Sequence, residues 1–294
     1  MTLLYLLGSI LSSTFINLVF KVFEQQKVDT YQAIVINYFV CVLVGSLLMG
    51  ELPIQSGFWQ ADWFPYSLVL GALFISAFYA IALTVQYFGI SVAVVLQKMS
   101  VVISVIFAIW VYSETVNALK IGGIILALIA VVLTNIRKKS DASIPSNRSW
   151  LLLLLPLYVF FNCGGIECLL QYVQMSVLGG EGGIRFSIFL FGTAGMIGTT
   201  FLLVSLFLGR SKLSVKNLIA GIALGVPNYF SLHFLLKVLG SGWEGSVIFP
   251  VNNIAIIAAA AVMAWLLFRE KLLPINIVGI VIAVISIVLI AVSS

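Results

Sequence analysis

The chain has 294 residues, of which 62% are hydrophobic and 9% are charged, and its formal net charge is +5. A soluble domain has about 25% charged residues, so this composition excludes a water-soluble globular protein and predicts that lipid surrounds most of the chain. The positive charges lie in short clusters at the ends of apolar runs, which is typical of membrane proteins, and nucleic-acid binding is not expected.

The sequence predicts an all-α, polytopic membrane protein with ten transmembrane helices. About 20 apolar residues cross the hydrocarbon layer. The segments that reach or approach this length are 3–23, 31–49, 66–88, 91–112, 118–136, 150–173, 184–208, 215–236, 244–268 and 274–292. The first is expected to be a retained span and not a signal peptide, because it lacks a basic leading region. Short connections such as GRSKLSVK predict that consecutive helices are antiparallel neighbours, with no soluble domain.

The basic residues predict an orientation. The loops after the odd-numbered spans carry Lys21, Lys27, Arg137, Lys138, Lys139, Arg148, Arg210, Lys212, Lys216, Arg269 and Lys271, against Lys120, Arg185 and Lys237 on the other face. Because cytoplasmic loops carry an excess of Lys and Arg, this count places both termini outside.

The chain repeats one design twice. Residues 94–135 contain an apolar helix, the polar turn YSETVNALK and a Gly-containing helix. Residues 246–291 contain an apolar helix, the turn FREKLLP and a second Gly-containing helix. Five spans per half is an odd number, so the halves enter the membrane in opposite directions. This predicts two inverted five-helix repeats, over 1–140 and 150–294, joined by a basic cytoplasmic linker at 137–149.

These paired units resemble the EamA-like repeats of the drug/metabolite transporter superfamily. YSETVNALKIGGIILALIAVVL and FREKLLPINIVGIVIAVISIVL carry the resemblance best, and ALTVQYFGISVAVVLQKMSVV precedes the first. The resemblance implies a ten-span inner-membrane permease that moves small metabolites such as amino acids, sugars or drug-like compounds. Relatives often have a proline near the start of span 4, which is absent here, and are often drawn with both termini inside.

Several polar side chains fall inside the predicted spans, where each costs a few kcal/mol unless it faces a cavity or the bundle interior. They are the expected substrate-binding residues: Lys98, Glu167, Asn17, Asn37, Tyr79, Gln97, Tyr158, Tyr229, His233, Asn252 and Asn253. At about 1.5 Å per residue, Asn17, Asn37 and Lys98 lie on the cytoplasmic side of the midplane. Glu167, His233 and the Asn pair lie on the outer side. The expected cavity is lined by spans 1, 3, 4, 6, 8 and 9.

Lys98 is the main site candidate, as a cation for a substrate carboxylate or phosphate. Its layer is separated from that of Glu167 by roughly 12 Å by this depth estimate, which argues against a static Lys98–Glu167 ion pair. Glu167 is either a proton-coupling or cation-binding group or a polar contact between helices. His233 is expected to be structural, with a proton relay as the alternative. The Asn pair either binds a ligand or repairs the kink at Pro250.

Other polar and small residues have simpler interpretations. Glu114 and Glu270 are expected to cap or orient turns. Gly221 and Gly225, with the Gly192, Gly195 and Gly198 series, are expected to permit close helix packing. Trp59, Trp63, Trp150 and Trp243 are expected at the membrane interface, and the three cysteines as buried hydrophobes.

A secondary transporter working by alternating access explains the repeat and the intramembrane polarity best. A sugar or phosphorylated-metabolite carrier or exchanger is the alternative within this fold. A membrane-embedded enzyme or a non-transporting scaffold is the alternative of another class, and a channel lacks its continuous polar lining. Neither metal nor cofactor is expected. The expected partners are a small-molecule substrate, the bilayer of a bacterial inner membrane and a proton as the candidate coupling ion.

Overall fold

The structure is a computed structural model, and it describes residues 1–50, 54, 57–88, 90–134, 136, 154–179, 183–209, 212–268 and 273–292. These residues fold into α-helices joined by short turns, so the all-α prediction is confirmed. The predicted linker at 137–149, Trp150 and Glu270 lie outside the described residues.

The helices follow the predicted spans closely. Their bounds are α1 (Thr2–Gln26), α2 (Thr30–Met49), α3 (Phe64–Phe88), α4 (Ile90–Met99), α5 (Val101–Tyr112), α6 (Ala118–Thr134), α7 (Leu154–Tyr172), α8 (Gly183–Phe207), α9 (Val215–Leu239), α10 (Gly245–Phe268) and α11 (Pro274–Val292). A 3-10 turn precedes α3 at Phe58–Gln60, and a π-helical turn at Val173–Val177 extends α7.

The ends of α2 show how local chemistry sets these bounds. The Asp29 carboxylate accepts a hydrogen bond from the Gln32 backbone N–H at 3.2 Å, which caps the helix N-terminus. At the other end Gly50 adopts the left-handed region with φ of 70°, and its N–H bonds the Ser46 carbonyl. The helix therefore begins and ends within one residue of the predicted span.

Nine helical segments in the described part of the chain are long and apolar enough to cross a membrane. The described portion is therefore a multi-pass membrane protein. The remaining apolar helix, α6, has 17 residues, or about 26 Å at 1.5 Å per residue, somewhat less than the hydrocarbon thickness. The tenth span remains a prediction.

The fourth predicted span is interrupted. The sequence predicts one continuous helix over 91–112, but the structure breaks it into α4 and α5 at Ser100. The Ser100 hydroxyl donates to the Gln97 carbonyl at 2.6 Å. A serine hydroxyl competes in this way with the helical backbone bonds, and Ser100 is the residue at which the helix breaks.

The described chain divides into two compact units. Unit 1 comprises Met1–Ile75 and Leu169–Gly242, and unit 2 comprises Ser76–Cys168 and Trp243–Ser294. Each unit thus combines helices from both halves of the sequence, and α3 and α7 each contribute to both. A compact unit is not the same as a sequence repeat, so the two inverted repeats at 1–140 and 150–294 remain a prediction.

Unit 1 is held together by close contacts of α2 with α8 and α9. A Cβ added at Gly221 would lie 2.6 Å from Ile36 Cβ, and one at Gly225 would lie 2.5 Å from Val40 Cβ. On α8, a Cβ at Gly198 would lie 3.0 Å from a methyl group of Val35. The packing role predicted for these glycines is confirmed.

Unit 2 packs α10 against α5, α6 and α11, and α6 against α11. Its core contains Ala127, Ala130, Ile254, Ile257 and Ala283, all buried. The three alanines let the helix backbones approach closely, which is how helices associate where the surrounding lipid is as apolar as the side chains.

Candidate functional site

Three of the predicted site residues form one hydrogen-bonded chain inside unit 2. Lys98 Nζ donates to Asn253 Oδ1 at 3.0 Å, and Asn253 Nδ2 donates to Glu167 Oε1 at 2.8 Å. Asn253 is buried, and Lys98 and Glu167 are partly buried. One amide therefore links a lysine amine and a glutamate carboxyl group within the membrane-spanning part of the protein.

Lys98 lies in the last turn of α4, one residue before the helix ends at Met99. The break at Ser100 follows directly, and the Ser100 N–H still donates to the Leu96 carbonyl at 3.2 Å. The side-chain contact of Lys98 with Asn253 on α10 is what links this end of α4 to the site.

The glutamate and the asparagine are positioned by other helices of the unit. At Gly164, one turn before Glu167 on α7, an added Cβ would lie 2.6 Å from Ile103 Cδ1, so this glycine brings α7 close to α5. On α10, Pro250 lies within the helix three residues before Asn253. Because proline lacks an N–H, it frees the carbonyl of Ser246 from its helical bond.

Sequence reasoning missed Ser104. Its hydroxyl donates to Glu167 Oε2 at 2.7 Å, so the Glu167 carboxylate accepts one hydrogen bond on each oxygen. Serine is common in membrane helices, and nothing in its own neighbourhood of the sequence marks it as a partner of Glu167. The sequence feature that could have suggested this contact is its position on the same predicted span as Lys98, six residues later.

The predicted 12 Å separation of Lys98 from Glu167 is wrong. Both side chains reach the same Asn253 amide. The depth estimate treated span 4 as a continuous helix and ignored how far the two side chains extend along the membrane normal. The expectation that no direct ion pair forms is consistent with the structure, since among the described residues the amide and not a salt bridge joins Lys98 to Glu167.

A second polar group lies in unit 2, around Tyr158. Its hydroxyl donates to Ser76 Oγ at 2.9 Å, and Asn162 Nδ2 contacts both of these hydroxyl groups, at 2.8 Å and 3.0 Å. Asn162 is 6% exposed. Sequence reasoning selected Tyr158 and missed Ser76 and Asn162.

The other predicted residues of unit 2 lie in different surroundings. Tyr79 is 59% exposed, and Gln97 is partly buried beside Lys98. Asn252 is 5% exposed, and its Oδ1 atom is buried without a hydrogen-bond partner among the described residues.

The four predicted residues of unit 1 do not form a single cluster. Asn17 is exposed on α1. Asn37 is fully buried between α2 and α9, where its Oδ1 accepts from Asn228 Nδ2 at 3.1 Å. Tyr229 is also fully buried, and its ring stacks on that of partly buried His233, with centroids 5.7 Å apart.

A charged network joins the helix ends of unit 2. Lys120 is fully buried at the start of α6 and donates to the Thr115 carbonyl at 2.7 Å, to Ser246 Oγ at 3.0 Å and to the Glu244 carboxylate. Burial tends to raise the pKa of Glu244, but the hydrogen bonds from Lys120 and Thr115 outweigh it and hold this pKa below its ordinary value. Sequence reasoning assigned Lys120 only to a loop face.

Glu114 belongs to the same end of the unit. Its two carboxylate oxygens accept from the backbone N–H groups of Gly245 and Ser246, each at 2.8 Å. These are unpaired donors of the first turn of α10. The predicted capping role is therefore confirmed, although the helix that Glu114 caps is distant in sequence.

The described fold is that of a polytopic, all-helical membrane protein. Residues 1–136 match the model of the EamA-like transporter family, which is part of the drug/metabolite transporter superfamily. The resemblance identified from the sequence is confirmed.

Two comparisons cover nearly the whole chain. An uncharacterized protein of Haemophilus influenzae is 26% identical over 282 residues, which are 94% of this chain and 93% of that protein. A solved crystal structure superposes with a TM-score of 0.75 over 98% of this chain and 95% of its own, at 10% sequence identity. At that identity the structural match supports the fold alone.

Proposed function

We propose that this protein is a secondary transporter that moves a small zwitterionic metabolite, of the amino-acid type, across a bacterial inner membrane by alternating access. The binding groups are Lys98 and Glu167. Asn253 bonds both of them, and the substrate takes the place of its amide when it binds. The observation that carries the proposal is the single amide that links the two charges.

The polarity of that amide indicates the substrate class. Asn253 offers an acceptor oxygen to Lys98 and a donor nitrogen to Glu167. A zwitterion offers a carboxylate to the lysine and an ammonium to the glutamate in the same order. Hydrogen bonds to charged groups are stronger than those to neutral ones, so such a substrate replaces the amide favourably and leaves neither buried charge unpaired.

The proposal explains why both charges are retained in the membrane. A charged side chain in a span costs about 2.5–3.5 kcal/mol by insertion measurements. Two such residues joined through a neutral amide are only partly compensated. A ligand bearing both opposite charges compensates them fully, which couples substrate binding to the two costly residues.

The direct test is uptake of labelled amino acids into proteoliposomes by wild type, Lys98→Met and a matched control, Lys212→Met. Lys212 is exposed outside the spans, so the control removes a lysine without touching the site. Losing a hydrogen bond to a charged group costs about 1.5–3 kcal/mol, and we therefore expect the uptake rate of Lys98→Met at low substrate to fall about 10- to 100-fold. Uptake by Lys98→Met equal to that of Lys212→Met would rule out the substrate role of Lys98.

A sugar-phosphate or other phosphorylated substrate is the alternative, because Lys98 suits a phosphate as well. The two substrate classes differ in what they require of Glu167. A zwitterion needs its negative charge, whereas a phosphate is repelled by it. Glu167→Gln therefore lowers transport of a zwitterion and leaves unchanged or raises transport of a phosphorylated compound.

Proton coupling is the second role proposed for Glu167. If this carboxylate carries the coupling proton, the transport rate of Glu167→Gln no longer depends on pH, while that of wild type does. A pH profile of Glu167→Gln that parallels wild type removes the coupling role and leaves facilitated diffusion or exchange. An enzymatic or scaffolding role is favoured only if purified wild type transports no compound of either class.

A further inference from the structure

A small polar pocket in unit 1 includes none of the residues proposed above for transport. It is lined by Gln174, Gly183, Ile184, His233, Leu236 and Lys237. Gln174 and His233 face it from the π-helical turn after α7 and from α9, and Gly183 and Ile184 contribute the first turn of α8. We propose that Gln174, His233 and Lys237 hold a water molecule here, through which the His233 imidazole exchanges protons with solvent at the end of α9.

Gln174 is the first observation that supports the proposal. Its side chain is 2% exposed, and its Oε1 atom is buried with no hydrogen-bond partner among the described residues. Leaving such an acceptor unpaired costs about 1–3 kcal/mol. The residue lies in the π-helical turn Val173–Val177, and π-turns occur frequently at functional sites.

The two other polar groups complement that acceptor. His233 stacks on Tyr229 at an interplanar angle of 17°, which fixes the imidazole plane. Lys237 follows one turn later on the same face of α9, in its last turn. A water molecule donates to the Gln174 oxygen and accepts from Lys237 while it contacts a ring nitrogen of His233.

The size and the charge of the pocket favour water over a larger ligand. The pocket has a volume of about 10 Å³, close to the least space that one water molecule needs, and a buried water needs two to four polar partners, which the three side chains supply. The positive charge of Lys237 disfavours a metal cation there. In the pocket lining, Gln174, Gly183, Ile184 and Leu236 do not ionise, so Lys237 is the charged group that faces the imidazole, with the Tyr229 hydroxyl on the same helix.

The composition of the chain makes this inference directly testable, because His233 is its only histidine. In protein labelled with ¹⁵N in histidine alone, every imidazole signal reports on this pocket. We expect an exchange cross-peak between the wild-type imidazole N–H and water. Gln174→Met fills the pocket with an apolar side chain and removes the acceptor, so the cross-peak is lost.

Two further variants make the outcome specific. Gln174→Glu keeps an acceptor and is expected to retain the cross-peak, as is Gln25→Met, which makes the control substitution at an exposed position of α1. If Gln174→Met does not fold, Ile184→Phe fills the same pocket from α8 and is expected to abolish the signal. A wild-type protein without the cross-peak, or a folded Gln174→Met with wild-type exchange, overturns the proposal. Neither outcome bears on Lys98 or Glu167.

Discussion

At the residue scale, Asn253 is the pivotal side chain, because its one amide satisfies two charged groups. The Glu167 carboxylate is also held by the Ser104 hydroxyl. This additional contact does not bridge Glu167 to Lys98. The central position of Asn253 follows from its use of both polar atoms, which an apolar, acidic or basic residue of similar size could not reproduce.

Two substitutions of Asn253, compared by unfolding temperature and by uptake, distinguish its role in substrate binding from its role in stability. Asn253→Leu leaves both charges without their shared partner, and unpaired buried polar groups cost about 1–3 kcal/mol. We expect a lower unfolding temperature in detergent together with loss of uptake. In Asn253→Asp the new carboxylate still accepts a hydrogen bond from Lys98, but it lies beside the Glu167 carboxylate. We expect this variant to fold and to transport more slowly than wild type.

A ligand that supplies both charges is expected to reverse part of the stability loss in Asn253→Leu. Any molecule that binds only the folded state stabilises it by RT ln(1 + L/Kd) at ligand concentration L, so the stabilisation grows with ligand concentration. The measurement is the unfolding temperature of Asn253→Leu with and without saturating amino acid, against that of the Lys98→Met variant. Equal shifts in the two variants would contradict binding at this site.

Which site residues could be predicted follows from their chemistry. Lys98, Glu167 and Asn253 are identifiable because ionisable and amide side chains are costly in lipid. Ser104 and Ser76 are not, since a hydroxyl within a helix can bond its own backbone and needs no partner. Asn37 shows that an amide inside a span need not belong to the site. Its side chain is buried in a helix contact, where it bonds Asn228.

At the element scale, α10 connects the site to a charged anchor. Glu114 caps its first two residues, Ser246 contacts the buried Lys120, and Asn253 lies two turns further along the same helix. The anchor fixes the axial position of α10, and Pro250 lies between the anchor and Asn253 as a break in the backbone ladder. Sequence patterns predicted α10 but could not pair Glu114 or Lys120 with it across more than 120 residues.

The ion pair of Lys120 with Glu244 belongs to this anchor, and it makes the stability of the protein depend on pH. The pKa of Glu244 is lower in the folded protein than its ordinary value. Its contribution to stability is therefore fully present above the unfolded pKa and is lost as pH falls through the lowered folded pKa. We expect wild type to exceed Glu244→Gln in unfolding temperature at neutral pH, and the difference to shrink on acidification.

The control for this measurement is Asp62→Asn, which removes an exposed carboxylate before α3. It is expected to track wild type across the pH range. A constant difference between wild type and Glu244→Gln from neutral to acidic pH would mean that Glu244 acts through its shape and not through its charge.

The break at Ser100 is the element that sequence patterns concealed. The run 91–112 is apolar enough for one uninterrupted span, and hydropathy does not distinguish a broken helix from a whole one. The serine at 100 is visible in the sequence, but a single hydroxyl is compatible with a continuous membrane helix. Discontinuous helices are typical of binding sites in transporters, and this one presents Lys98.

At the scale of the whole molecule, hydropathy predicts the helices well and their grouping poorly. The bounds of α11, Pro274–Val292, coincide with the predicted span 274–292. Hydropathy does not predict the two compact units, because each unit combines helices from both halves of the sequence. Span order along the chain does not specify which helices pack together, and the orientation given by the charge count remains a prediction.

The central claim is that the site recognises a carboxylate and an ammonium on one molecule. The most direct test is competition against labelled alanine uptake in proteoliposomes, using unlabelled alanine, alanine methyl ester and N-acetylalanine. The ester lacks the carboxylate for Lys98, and the acetylated compound lacks the ammonium for Glu167. We expect alanine alone to compete strongly. Equal competition by all three compounds, or by a sugar phosphate in preference to alanine, would contradict the account.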